Sequence, residues 1–398
     1  MNDILFSRTH EYMLTRKCNM NCSYCFEKDK SGNDADLDRV YNFILNNENF
    51  SDASPDKFYM FGGEPLLNID FLDKLAQKIN SNPNLSDKAK EKYIKSIFGS
   101  ITTNGTLIDK AMPILKKYNA SLQISLDGPE EINDYCRVDY NGKGHFQQIM
   151  DNIKLCQENG IRYSVHGAIA SCNYKHFKEI VKWFIQIQLD NPFYNKENIS
   201  ELLFHNYLQL VFEDNISDDD INTLLEQYQE VVGMILFSDL FKEYTMSERA
   251  ECACGFLVRQ DGRCSAANSM FAFDSEMYIY PCHRLMTSGK EKYPHELALG
   301  QIGSDKSWNF KFYEQFLDAP NKGILYGPVF DYDLRNENKA ANFMANWCPS
   351  TNFEETGNTN TYPCKHNVLL AELQAFIPKL AEYYGLDIYG YTERHKRK

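Results

Sequence analysis

Three cysteines, Cys18, Cys22 and Cys25, stand in the run Cys-Asn-Met-Asn-Cys-Ser-Tyr-Cys near the start of the chain. This Cys-x3-Cys-x2-Cys spacing offers three thiolates to one iron–sulfur cluster, and a four-iron cubane held by three thiolates keeps one iron without a protein ligand. An open iron is where a substrate or cofactor can bind. The plainer readings are three reduced thiols, or a zinc site short of its fourth ligand. Two later motifs, Gly62-Gly63-Glu64-Pro65 and Thr103-Asn104-Gly105, favour the cluster.

Strands and helices must position these residues. A short strand is expected over Tyr12 to Thr15, with the cysteines in the loop leading to the first helix. That helix carries Leu37, Val40, Tyr41, Ile44 and Leu45 at i, i+3, i+4, i+7 and i+8, a stripe that can cover a sheet. Further strands are expected at Lys57 to Phe61, Ile97 to Thr103, Leu122 to Leu126, Tyr163 to Ala170 and Leu202 to Val211. Helices are expected around Leu72 to Ile79, Asp109 to Lys117, Phe146 to Cys156 and Tyr174 to Gln188. About six β-α units give parallel strands in a barrel or an open sheet. The cysteines follow the first strand, Gly-Gly-Glu-Pro the second and Thr-Asn-Gly the third, all at C-terminal strand ends, where such folds gather their chemistry.

Asp214 to Thr245 reads as acidic and helical, and from Cys252 onward cysteines become dense while helical periodicity is lost. The expected division is 1–213 for the repeated units, 214–248 for a helical acidic connector and 249–398 for a cysteine-rich part with a C-terminal helix.

The chain has 398 residues, 43% hydrophobic and 24% charged, enough to bury a large core and unlike a disordered composition. A formal charge of −13 argues against nucleic acid, which needs a basic face to release counterions. No run reaches a membrane span and Met1 to Tyr12 lacks a signal pattern, so a cytoplasmic protein with no membrane partner is expected. Twelve cysteines in so large a chain point to metal ligands more than to disulfides. Cys136 and Cys172 are expected to be free thiols, Cys156 a core residue, and His166 and His205 core or rim histidines. No separate peptide-recognition domain is expected before the first strand.

With these motifs the chain resembles a radical S-adenosylmethionine (SAM) enzyme over about residues 10 to 210. Cys18, Cys22 and Cys25 match the family's cysteine array, Tyr24 its aromatic before the third cysteine, and Gly62-Gly63-Glu64-Pro65 its Gly-Gly-Glu-Pro. Thr103-Asn104-Gly105-Thr106, Ser125-Leu126-Asp127-Gly128-Pro129 and Arg137 are similar to segments lining the SAM pocket of peptide- and protein-modifying members. The resemblance implies a partial (β/α)6 TIM-like barrel in which Tyr24, Gly62, Gly63, Glu64, Asn104, Ser125, Asp127 and Arg137 contact SAM. It also implies a [4Fe–4S] cluster whose electron breaks SAM to a 5′-deoxyadenosyl radical, and an external donor of flavodoxin or ferredoxin type. Glu64 suits the SAM ammonium, and Arg137 could reach a SAM carboxylate or form a plain surface salt bridge.

The C-terminal part resembles the SPASM or twitch extension of this superfamily, which carries auxiliary clusters. Met270 to Cys282 is similar to its ligand-bearing hairpin and Leu299 to Gly303 to the strand after it. The chain lacks the family's Cys-x2-Cys-x5-Cys-x3-Cys run, and six cysteines cannot fully ligate two four-thiolate clusters. One auxiliary [4Fe–4S] cluster is therefore expected from Cys254, Cys264, Cys282 and Cys348, with Cys252 and Cys364 competing and zinc as the alternative metal. Three functions stay open: a maturase that forms a thioether or carbon–carbon cross-link in a ribosomally made peptide; an anaerobic sulfatase maturase making formylglycine; and a non-catalytic iron–sulfur protein. The second family has an aspartate base directly after the cysteine equivalent to Cys282, where this chain has His283, the one catalytic candidate.

Overall fold

The structure, a computed structural model, describes residues 9–27, 30, 32–46, 57–194, 208–210, 218–257, 270–287, 295, 297–302, 314, 376 and 379–387. Cys264, Cys348, Cys364 and His205 lie outside these residues, and the side chain of Cys254 is likewise not described. The chain forms two compact units. Unit 1 takes Met1–Leu126, Arg137–Ser164 and Ser265–Asp318; unit 2 takes Asp127–Cys136, Val165–Cys264 and Ala319–Lys398. The fold is α/β with a parallel sheet.

In unit 1, β1 (Thr9–Met13), β2 (Lys57–Phe61), β3 (Ile101–Thr103) and β4 (Ser121–Ser125) pair in parallel in that order. The helices between them are α1 (Leu37–Asn46), α2 (Ile69–Asn80), α3 (Asp87–Ile97) and α4 (Ile108–Lys117). Of the expected α1 stripe Val40 and Ile44 are buried and Leu37, Tyr41 and Leu45 half-buried, and Phe43, outside that stripe, is buried as well. The strand expected from Ile97 begins only at Ile101, because Ser86 caps α3 through the Ala89 amide and that helix runs through Ile97. Beyond β4 come α5 (Glu130–Cys136) in unit 2 and α6 (Phe146–Asn159) in unit 1, the latter closed by Gly160 at φ 69°.

The other edge of β1 is taken by β7 (Met270–Phe273), again in parallel, and β7 turns into the antiparallel strands β8 (Tyr278–Tyr280) and β9 (Gly300–Gln301). The hairpin read as part of an extension thus continues the sheet of the first strand. An aromatic cluster fastens it: the rings of Tyr12 and Phe273 stack at 5.0 Å, Phe43 meets Phe273 at 4.9 Å, and buried His10 stacks on Phe58 at 5.7 Å.

In unit 2, β5 (Arg162–Ile169), which begins in unit 1, pairs in parallel with β6 (Leu208–Leu210), and α7 (Phe177–Leu189) packs against α8 (Asp218–Phe237). His166 is half-buried on β5, on the rim as expected. Helical order does not end at residue 248: α9 (Met246–Leu257) carries buried Cys252. Cys136 and Cys172 are not free thiols. The end of α5 meets the turn after β5 with Cα atoms 6.1 Å apart, within disulfide reach, and the two sulfurs are bonded. Cys156 is the expected core residue, its thiol pushed up to about 12 by burial. Among the described residues no helix is long and apolar enough to cross a membrane.

Alkylation after denaturation should label Cys136 and Cys172 only when a dithiol reductant has been added, as peptide mass spectrometry would read. Reduction should lower stability by about 2–4 kcal/mol in a denaturant titration, the usual range for a native cross-link.

Candidate active site

The ladder between β1 and β2 does not stop where the strands stop. Leu14 N–H donates to Phe61 O, Gly63 N–H to Thr15 O and Glu64 N–H to Lys17 O, each at 2.9 Å. The cysteine loop is therefore pinned along the Gly-Gly-Glu segment before Cys18 is reached. Glycine is required there: a Cβ on Gly62 would lie 2.3 Å from Thr15 O, and one on Gly63 would lie 2.4 Å from the carbonyl oxygens of both Arg16 and Lys17. These glycines admit the cluster loop itself.

Cys18, Cys22 and Cys25 are half-buried on this loop and outside any disulfide. Met20 N–H donates to Cys18 Sγ at 3.4 Å, and Cys25 Sγ donates to Glu27 O at 3.4 Å. Burial pushes the Cys18 thiol up to about 11, against the pull of the Met20 amide, so metal binding must displace a proton there. Three soft donors on one braced loop suit an iron–sulfur cluster.

Glu64 is fully buried. Its Oε1 accepts from Leu66 N–H at 3.0 Å and Thr103 Oγ1 at 2.7 Å, and its Oε2 accepts from Asn104 N–H at 2.7 Å. Burial raises its pKa, while those three donors and the nearby Arg137 charge pull it back toward the carboxylate. Asn104 Nδ2 donates to Asn19 Oδ1 at 2.8 Å and lies 4.0 Å from Cys18 Sγ, and Thr106 Oγ1 donates to Asn104 Oδ1 at 2.6 Å. Asn19, inside the cysteine array, and Thr103 and Thr106, in the third motif, are thus polar neighbours of Glu64, Asn104 and Cys18, and of the three only Asn19 carries no signal of its own in the sequence.

Arg137 is no surface salt bridge. It is buried, and its Nη1 donates to the Tyr24 hydroxyl at 2.7 Å. Next to it the chain holds the far side of the cysteine loop, through Asn21 N–H to Val138 O at 2.7 Å and a bridge between Met20 and Asp139. Lys30 Nζ adds a bond to Met20 O at 2.8 Å. Ser125 closes β4 in unit 1, nearly buried. Asp127 falls in unit 2, where its buried carboxylate accepts from Ala168 N–H at 2.9 Å.

The C-terminal candidates divide. Cys282 is buried in unit 1, and His283 Nδ1 sits 2.8 Å from Glu11 Oε2 of β1. The His283 ring lies 5.6 Å from that of Phe26 and 5.7 Å from that of Phe61, the residues directly after Cys25 and directly before Gly62. Glu11, unremarkable in sequence, could have been found only through the pairing of β1 with β7. Cys252 is a buried thiol of unit 2.

Because its Cβ would meet two fixed carbonyls, Gly63→Ala should loosen the cysteine loop. The expected outcome is a lower iron content after anaerobic reconstitution, measured against wild type by iron analysis and visible absorbance.

Residues 12–184 match the Radical SAM superfamily model. Over 176 residues the chain is 33% identical to a cysteine-type anaerobic sulfatase-maturating enzyme of Clostridium novyi (strain NT), covering 42% of this chain and 45% of that protein. Over 242 residues it is 25% identical to the radical SAM cyclopropyl synthase TigE of Paramaledivibacter caminithermalis, covering 55% and 46%. The chain thus spans about half the length of these two curated relatives. The structure of native anSMEcpe with bound AdoMet superposes with a TM-score of 0.62 at 17% identity, over 94% of this chain and 98% of that one, a likeness of fold. The cysteine array, the Gly-Gly-Glu ladder and the buried Glu64 all fall within the matched stretch, and residues 12–184 are a radical SAM domain, which uses a [4Fe–4S] cluster and SAM.

Proposed function

We propose that this chain is a radical SAM enzyme that acts on a peptide or protein and forms a thioether or carbon–carbon cross-link in it. When bound, the cluster and SAM supply a 5′-deoxyadenosyl radical able to abstract hydrogen. The chain's own residues bind and orient. Cys18, Cys22 and Cys25 hold the iron, and Glu64 takes the SAM ammonium on its remaining lone pairs. Asn104, Ser125 and Arg137 would complete the pocket within unit 1, with Arg137 also holding Tyr24. Cys282, buried in unit 1, would be one ligand of an auxiliary [4Fe–4S] cluster. An external flavodoxin or ferredoxin type of donor reduces the protein.

The observation that carries this reading is the place of His283. Its ring packs on Phe61 and Phe26 and its Nδ1 meets Glu11, so the segment following Cys282 abuts both the cysteine loop and the Gly-Gly-Glu segment within unit 1. The match to a sulfatase-maturating enzyme supports a protein-directed reaction. Formylglycine formation is the second reading, favoured by that relative; His283 would then accept the proton that an aspartate takes in the enzymes it resembles.

Reduced protein with SAM and peptides encoded beside its gene should yield 5′-deoxyadenosine and a peptide lighter by two hydrogens. A sulfatase peptide containing Cys or Ser, run in parallel, would instead carry formylglycine if the second reading holds. No 5′-deoxyadenosine with dithionite and SAM would leave only a non-catalytic iron–sulfur role. Glu64→Gln puts an amide opposite the Asn104 N–H and removes the charge, so SAM affinity should fall roughly 10- to 100-fold in calorimetry while iron is retained.

A further inference from the structure

Arg16 stands two residues before Cys18, and its main chain and side chain face different halves of unit 1. Its carbonyl lies against Gly63, where a Cβ would come within 2.4 Å. Its guanidinium leaves the cysteine loop altogether and reaches the segment on either side of Cys282. Nη2 donates to Met286 O at 3.4 Å and lies 3.8 Å from Asp274 Oδ2, while Nη1 lies 3.9 Å from Glu27 Oε1. The two longer contacts are ion pairs, beyond hydrogen-bond length. All three charged side chains are withdrawn from water, at 11% exposure for Arg16, 4% for Glu27 and 1% for Asp274.

Each partner belongs to one side of the site. Glu27 receives the Cys25 thiol on its carbonyl. Asp274 builds the β7–β8 turn, accepting from Glu276 N–H at 3.0 Å, Tyr278 N–H at 2.9 Å and Tyr280 Oη at 3.3 Å, and His295 lies 3.9 Å from its other face. Met286 lies in the short helical turn His283–Thr287 that follows Cys282. The route of the arginine is also reserved: a Cβ on Gly32 would stand 2.2 Å from Arg16 Cδ.

We propose that Arg16 is a positioning residue that locks the Cys282–His283 segment onto the SAM-cluster loop. The proposal rests on the radical SAM reading of the same site and names what fixes its C-terminal half. A cation serving two buried carboxylates is costly to remove, because each is left with less compensation for its lost water. The lost contacts reach residues 274 to 286, so that stretch should loosen first. Gly32→Ala attacks the same contact without touching a charge.

The test is hydrogen exchange by mass spectrometry on the anaerobically reconstituted full chain. Arg16→Met should speed exchange of residues 270–287 by roughly tenfold or more, as the loss of one partner of a buried pair implies, with little change in β3 and β4. Arg16→Lys keeps a charge that can still reach Asp274 and should restore much of the protection, a rescue that a merely space-filling side chain would not show. Gly32→Ala should give the Arg16→Met pattern in milder form. Wild-type protection of residues 270–287 in Arg16→Met, or equal loss across β1 to β4, would overturn the proposal. Formation of 5′-deoxyadenosine by the wild-type protein with dithionite and SAM alone, run alongside, reports on the radical SAM reading independently of the exchange result.

Discussion

The site depends on one backbone constraint, the continuation of the β1–β2 ladder beyond both strands. Parallel pairing normally ends where loops diverge. Here Leu14, Thr15 and Lys17 stay bonded to Phe61, Gly63 and Glu64, so two loops are held at strand spacing. That spacing leaves no room for side chains at positions 62 and 63. It also fixes Glu64 at the point where the Thr103 hydroxyl and the Asn104 and Leu66 amides converge. A carboxylate taken wholly out of water needs such donors, and the third strand end supplies two of them. The cysteine loop, the Gly-Gly-Glu segment and the Thr-Asn-Gly segment are therefore one hydrogen-bonded assembly.

β1 has a second edge, and its use decides what lies opposite. Because β7 pairs there in parallel, the Met270–Tyr280 hairpin enters the same sheet, sealed by the His10, Tyr12, Phe43, Phe58 and Phe273 cluster. Burying rings of this size is worth on the order of 1.5–3 kcal/mol each, enough to seat the hairpin firmly. The chain leaving that hairpin then delivers Cys282 and His283 to Phe26, Phe61 and Glu11.

Electrostatics follow the same layout. Arg16 pairs with Glu27 and Asp274, while Arg137 holds Tyr24 inside the cysteine loop and its charge acts on Glu64, so an acidic chain keeps cations beside the buried carboxylates that need them. Asn19, Asn104 and Thr106 put amide and hydroxyl dipoles next to Cys18. Such neighbours orient metal ligands and tune the group they hold.

Much of this was legible in order of residues. The i, i+3, i+4 stripe of Leu37 to Leu45 is α1, Gly160 closes its helix in the left-handed region, and the three motifs fall at the ends of β1, β2 and β3 as their spacing requires. Local patterns encode local structure. Where a local signal was weak the reading slipped: Ile97 belongs to a helix capped by Ser86, and Cys252 to a helix whose face is set by what covers it. The sequence by itself determined the donor set, three thiols and one carboxylate, and the glycines that admit a neighbouring backbone, since those depend on residue type and spacing alone. Only the tertiary structure decided the partners: Cys136 with Cys172, Tyr24 with Arg137, Glu11 with His283, and Arg16 with Met286 at a separation of 270 residues. Such pairs follow from strand order and from which edge of β1 is filled, and no periodicity along the chain carries that information.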